Sequence, residues 1–173
     1  MQKFKDRWEI NADWQLIFPL LGLVSLLFSG YLIGKYILKK TGIAETDTFY
    51  IGLVSALTIL LSTFLLFITL KLFSKLETKW KVNYRWELIA IFIAFAVTGS
   101  TAARISDPII SFLGFTRETT NGWIYWPIRI LLIFPVYQVL LLIVGWIFGQ
   151  FKFFWNFEKK MLSRMGFARF FKD

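Results

Sequence analysis

The chain has 173 residues, 57% of them apolar and 18% charged, with a net charge of +9. A soluble domain carries about 25% charged and 45–50% apolar residues, so the excess makes lipid the solvent and excludes an ordinary water-soluble fold. Cys and His are absent, which removes disulfides, thiolate and imidazole metal sites, haem ligation and His-based acid–base catalysis.

The positive charge does not point to nucleic acid. The bases flank long apolar runs, as Lys and Arg do in membrane proteins. No metal and no cofactor is expected.

The chain opens with a mixed-charge segment that holds Asp6, Glu9 and Asp13 beside its bases. The apolar run after it is long and is followed by no A-x-A site, so the first span reads as a retained anchor, not a cleaved signal peptide. A helix crossing the hydrocarbon core needs about 20 apolar residues. Trp14 to Gly34, Thr48 to Leu70 and Ile130 to Phe151 are free of charge, and Leu88 to Ala103 is a shorter such run between Glu87 and Arg104. Spans are expected near residues 14–38, 49–73, 87–106 and 123–150. No strict two-residue alternation favours a β-barrel, so helices must satisfy the backbone in lipid. The fold class is an all-α membrane protein with four transmembrane helices and short interfacial helices.

A phrase occurs twice. Trp8, Asn11, Trp14, Leu16 and Ile17 match Trp80, Asn83, Trp86, Leu88 and Ile89 without a gap. Each copy sits at the entry to an odd-numbered span, with Trp at headgroup level and an Asn able to cap the helix start. The reading is a duplicated helical hairpin. Residues 1–78 form the first repeat, 79–150 the second, and 151–173 a basic aromatic amphipathic tail. Two helices per copy make the repeats parallel, related by an axis along the membrane normal.

Four spans put both termini on one side. Residues 1–13, 71–86 and 152–173 hold 14 Lys and Arg, whereas the opposite side holds five (Lys35, Lys39, Lys40, Arg104 and Arg117). The positive-inside rule then predicts that both termini are cytoplasmic, in contact with anionic lipid.

Small residues mark helix contacts: Gly30 and Gly34 in the first span, and Gly99, Ser100 and Ala103 in the third. Trp8, Trp14, Trp80, Trp86, Trp123, Trp126 and Trp155 are the expected interfacial anchors.

The candidate site is a group of polar residues toward the outer face. Arg104 ends the third span, Asp107 is three residues on, and Arg129 lies about 9 Å inside the fourth at 1.5 Å per residue. Two guanidinium groups could grip an anionic headgroup or carboxylate; equally, each could snorkel, or one could pair with Asp107. Gln138 at mid-span should hydrogen-bond to another helix. Pro135 should kink the fourth helix, and Pro108 should open a short interfacial helix. In the tail, Phe154, Phe157, Met161 and Met165 recur at helical spacing, and Lys152, Lys159, Lys160 and Arg164 can meet headgroups. The tail therefore reads as an amphipathic helix on the leaflet.

Gly149-Gln150-Phe151-Lys152-Phe153-Phe154, the basic tract after it and the Trp80/Trp86 entry resemble a small uncharacterised family of Bacteroidetes membrane proteins, known only as a domain of unknown function. The resemblance covers roughly residues 78–166 and, more weakly, the first half. It implies an inner-membrane location and brings no known catalytic residue.

Three function classes fit these residues. The first is a non-catalytic subunit or accessory factor of a membrane complex, with a protein partner or a second copy. The second is a lipid-handling protein or transporter using Arg104, Asp107 and Arg129. The third is an enzyme on lipid, whose acid–base work would rest on Asp107, Tyr125, Tyr137 or Lys.

Overall fold

The computed structural model describes residues 1–43, 45, 48–80 and 82–171. Lys81 of the second phrase and residues 172 and 173 of the expected tail lie outside the described residues. Every regular element among the described residues is helical: α1 (Gln2–Trp8), a 3-10 turn (Asp13–Leu16), α2 (Ile17–Thr41), α3 (Tyr50–Trp80), α4 (Arg85–Phe112), α5 (Gly122–Ile147), α6 (Phe151–Arg164) and a terminal 3-10 turn (Phe167–Phe171). Four of these segments are long and apolar enough to cross a membrane: Asp13–Thr41, Tyr50–Trp80, Arg85–Phe112 and Gly122–Ile147. The chain is a multi-pass membrane protein. It divides into two compact units, Met1–Ile89 and Ala90–Asp173.

In the first unit α2 and α3 pack as a hairpin, and glycine sets their approach. A Cβ at Gly30 would strike the Ser62 side chain and lie 2.9 Å from the Thr58 carbonyl oxygen. At Gly34 it would lie 3.3 Å from the Leu57 Cβ. Close backbones let Ser62 Oγ donate to the Leu26 carbonyl across the seam at 3.1 Å. This is how small residues stabilise helix pairs where lipid gives no hydrophobic drive. Leu23, Leu27, Phe28, Leu60, Phe64 and Phe67 remain exposed, as lipid-facing side chains do.

The two copies of the repeated phrase fold alike, and both lie in this unit. α1 ends at Trp8 and α3 at Trp80; helical structure resumes at Asp13 and at Arg85. In the first copy Gln15 Oε1 accepts from the backbone N–H of Asn11 and Ala12, at 2.8 and 3.1 Å. In the second, Glu87 Oε2 accepts from Asn83 and Tyr84, at 2.9 and 3.3 Å. The expected Asn side-chain caps are therefore replaced by caps from the residue four positions on. Its longer side chain folds back over the first turn and satisfies two otherwise orphan N–H groups.

In the second unit, α4 runs unbroken through Pro108 to Phe112. This corrects the expectation of a separate helix opening at Pro108. The missing N–H leaves one carbonyl, that of Arg104, without its helical partner, and Arg104 is exposed. α5 is likewise helical through Pro127 and Pro135. α5 ends in a Schellman turn: Gln150 N–H bonds the Gly145 carbonyl at 2.7 Å, and Gly149 N–H bonds that of Trp146 at 3.0 Å. Gly149 has φ 71°, a left-handed conformation that costs least at Gly.

That turn sends α6 back along α5. A Cβ at Gly145 would collide with the ring of Phe154, and Gln138 Nε2 reaches Met161 Sδ at 3.9 Å. Seven residues separate the two contacts on each helix, so the helices run antiparallel, with Gly145, Leu141 and Gln138 facing Phe154, Glu158 and Met161. Phe154 is fully buried and also meets Phe95 of α4 edge-on at 5.2 Å. The Phe154 end of the tail's apolar edge is thus taken up by protein, while Met165, Lys152, Asn156, Lys160 and Arg164 stay exposed.

Candidate functional site

Arg129 and Asp107 meet. Arg129 Nη2 lies 2.5 Å from Asp107 Oδ1, which ties α4 to α5 near the loop that joins them. One turn before Arg129 on α5, Tyr125 accepts from Arg129 Nη1 through its hydroxyl at 3.1 Å. The guanidinium also lies 5.9 and 5.7 Å from the Tyr125 and Trp126 ring centres. Its charge is matched, both of its terminal nitrogens have a partner and two aromatic rings lie within cation–π range. Arg104 is exposed, and neither an ion pair nor a hydrogen bond joins it to Arg129 or Asp107. Of the two bases, Asp107 has taken the one on the neighbouring helix over the one on its own.

Gln138 faces another helix as its position requires, and is 8% exposed. Its amide nitrogen finds only the Met161 thioether, a weak acceptor, and its Oε1 is buried without a partner. Opposite, on α6, is a residue the sequence reading passed over. Glu158 is 4% exposed and its Oε1 is also unpartnered. Burial pushes its carboxyl up to about 7. Glu158 was hidden by context. Among Lys159, Lys160 and Arg164 it reads as one more surface charge, and only the return of α6 onto α5 buries it.

The glycines sort into two kinds. Gly30 and Gly34 are filled by α3. Gly99 is open, since a Cβ there would meet nothing within 4 Å, and Ala96 and Ser100 beside it are exposed. With Ala103 they form a small-residue stripe along α4.

The tryptophans also divide. Trp123 is 90% exposed, and Trp14, Trp126 and Trp155 are exposed as well, whereas Trp8 and Trp80 are half-buried. Trp86 departs from its expected anchoring role. It is 5% exposed, stacked on Phe18 at 5.2 Å and edge-on to Trp14 at 5.6 Å. The second copy of the phrase thus buries its Trp against the first. Trp146, absent from the expected anchors, is 72% exposed near the end of α5.

Beside that cluster a cavity of about 240 Å³ opens between Arg7, Trp8, Phe73, Glu77 and Arg85. Arg85 is paired with Glu77 at 3.0 Å, and its backbone N–H donates to Glu9 at 2.9 Å. Opposite charges are matched there, so the cavity carries no strong preference for an ion of either sign.

Residues 90–169 match the model of a family of unknown function (DUF6787). That stretch, a little under half of the chain, is similar to this family. It runs from inside α4 to the terminal 3-10 turn, so it includes the Arg129–Asp107 pair, the α5–α6 turn and Glu158, but not the Trp80/Trp86 entry. Neither the curated proteins nor the solved structures yield a match.

Proposed function

We propose that this chain is a non-catalytic protein of a bacterial inner membrane, a subunit or accessory factor that acts through contact with another membrane helix. The observation that carries the reading is the open stripe of Ala96, Gly99, Ser100 and Ala103 on α4. Small residues at this spacing let backbones approach closely. Where the same chain uses such residues internally, at Gly30 and Gly34, a helix fills them. The partner is a helix of another protein or of a second copy. Both termini are cytoplasmic, and the exposed bases of the first residues meet anionic lipid there. Duplication of a hairpin belongs to the same reading, supported by the matched breaks and caps at the two entry phrases. Nucleic acid has no place in it.

The alternative, an outer-leaflet anionic group held by Arg104 and Arg129, has less behind it because Asp107 already neutralises Arg129.

The test is extraction of tagged protein, at native expression, in mild detergent. Wild type should run with a co-purifying membrane protein or as a homo-oligomer, and Gly99→Leu with Ala103→Leu should run as a lone chain. A lone wild-type chain sinks the proposal. Accessible tags fused to the two ends check the topology, which predicts both on the cytoplasmic side.

A further inference from the structure

We propose that the seam between α5 and α6 is a proton-binding site, in which Glu158 holds a proton while α6 lies against α5 and gives it up when α6 swings away. The site rests on geometry. Phe154, Glu158 and Met161 form one edge of α6, at i, i+4 and i+7, and face Gly145, Leu141 and Gln138 on α5. Two oxygens on this seam, Glu158 Oε1 and Gln138 Oε1, are buried without a hydrogen-bond partner. Both belong to residues more than nine-tenths buried. Two bare acceptors on one dry seam are unfavourable, since a buried polar group without a partner costs about 1–3 kcal/mol. One proton changes the count: a neutral Glu158 carries an O–H, and Gln138 Oε1 is an acceptor facing the same seam. The step makes one O–H bond on the Glu158 carboxylate and breaks one in hydronium, which leaves as water; no bond of the protein is broken.

The surroundings favour the neutral form. From α5 the one titratable neighbour is Tyr137, whose hydroxyl is within electrostatic reach of Glu158. α4, which touches α6 through Phe95, has no ionisable residue between Leu88 and Ala103. The terminal turn packed on α6 contributes Arg169, which is exposed. On α6 itself Lys152, Lys160 and Arg164 are exposed, and Lys159 lies 5.6 Å from the Trp155 ring centre. Burial accordingly pushes the carboxyl up from 4.5 to about 7. The closed seam binds the proton more tightly than an open one. Closure is therefore fully favoured below about pH 4.5, weakens as pH rises to about 7, and changes no further above that. Opening would free a helix whose outer side already carries Lys152, Lys160 and Arg164.

The experiment uses the full chain in nanodiscs of phosphatidylethanolamine and phosphatidylglycerol. The chain has no Cys, so Val139→Cys with Asn156→Cys gives two spin labels on exposed positions, one on each helix. The inter-label distance should be short at pH 5.5 and lengthen with a midpoint near 7, and Glu158→Gln should hold the short distance throughout. Infrared difference spectra between pH 5.5 and 8.5 should show loss of a neutral-carboxyl band in wild type that Glu158→Gln lacks. A wild-type distance that ignores pH overturns the proposal, as does a band that survives in Glu158→Gln. So does a distance that responds at fixed pH to replacing sodium with choline, which would make the seam a metal-cation site. The wild-type titration needs no Glu158 variant, so poor folding of Glu158→Gln leaves the test intact.

Discussion

Gln15 and Glu87 do the same work 72 positions apart. Each reaches back over the first turn of a helix and accepts two backbone N–H groups. Losing a helix cap costs about 1 kcal/mol. Gln15→Ala and Glu87→Ala should each lower stability by about that amount, and the double variant by about 2 kcal/mol, read from thermal unfolding in detergent. The doubled Trp and Asn were legible in the sequence; the capping residue was not. Asn is the stronger cap by propensity. A Gln or Glu four positions on becomes the acceptor only once the chain breaks after Trp8 or Trp80. Arg129 and Asp107 teach the same lesson. The residue types announced a charged pair, but left open which of the two Arg would take Asp107. Contact between helices chose Arg129.

At the scale of elements, the α5–α6 turn decides the second unit. Gly149→Ala forces a side chain into the left-handed region and should cost about 1 kcal/mol. Gly145→Leu is the harsher change. It fills the space of the Phe154 ring, whose burial is worth roughly 1.5–3 kcal/mol. α6 should then detach, and trypsin should cut after Lys159 and Lys160 at least tenfold faster than in wild type. A rate equal to wild type would show that Phe154 does not hold the helix. Gly30→Leu should act likewise on α2 and α3, because the Thr58 carbonyl oxygen at 2.9 Å cannot move as a flexible side chain can. The GQFKFF stretch was visible in the sequence as a distinctive string. Its parts acquire meaning in the fold: Gly149 makes the turn, Gln150 opens α6, and Phe154 plugs α5.

For the whole molecule, the expected consequence of Glu158 is a pH-dependent stability of unusual sign for a carboxylate. The folded form holds its proton up to about pH 7, whereas the unfolded chain releases it near the ordinary 4.5. Between those values the folded state binds more protons, so stability falls as pH rises and levels off above about 7. Melting of wild type from pH 4.5 to 8.5 should show that decline, and Glu158→Gln should flatten it. A rise over the same window would mean that Glu158 is paired or solvated in the folded protein.

Composition and run length alone marked this chain as a membrane protein with four helices long and apolar enough to cross the bilayer. The energy of placing unpaired backbone in hydrocarbon makes a helix the form such runs take in lipid. The sequence also marked the close approach at Gly30 and Gly34, since only small side chains allow it. Tertiary structure decided the rest. It filled Gly30 and Gly34 and left Gly99 open, gave Asp107 to Arg129, buried Trp86 against Phe18, and folded α6 onto α5 so that Glu158 lost its water. Each is a matter of which surfaces meet across long stretches of chain. Residue type limits that choice, and only packing in three dimensions makes it.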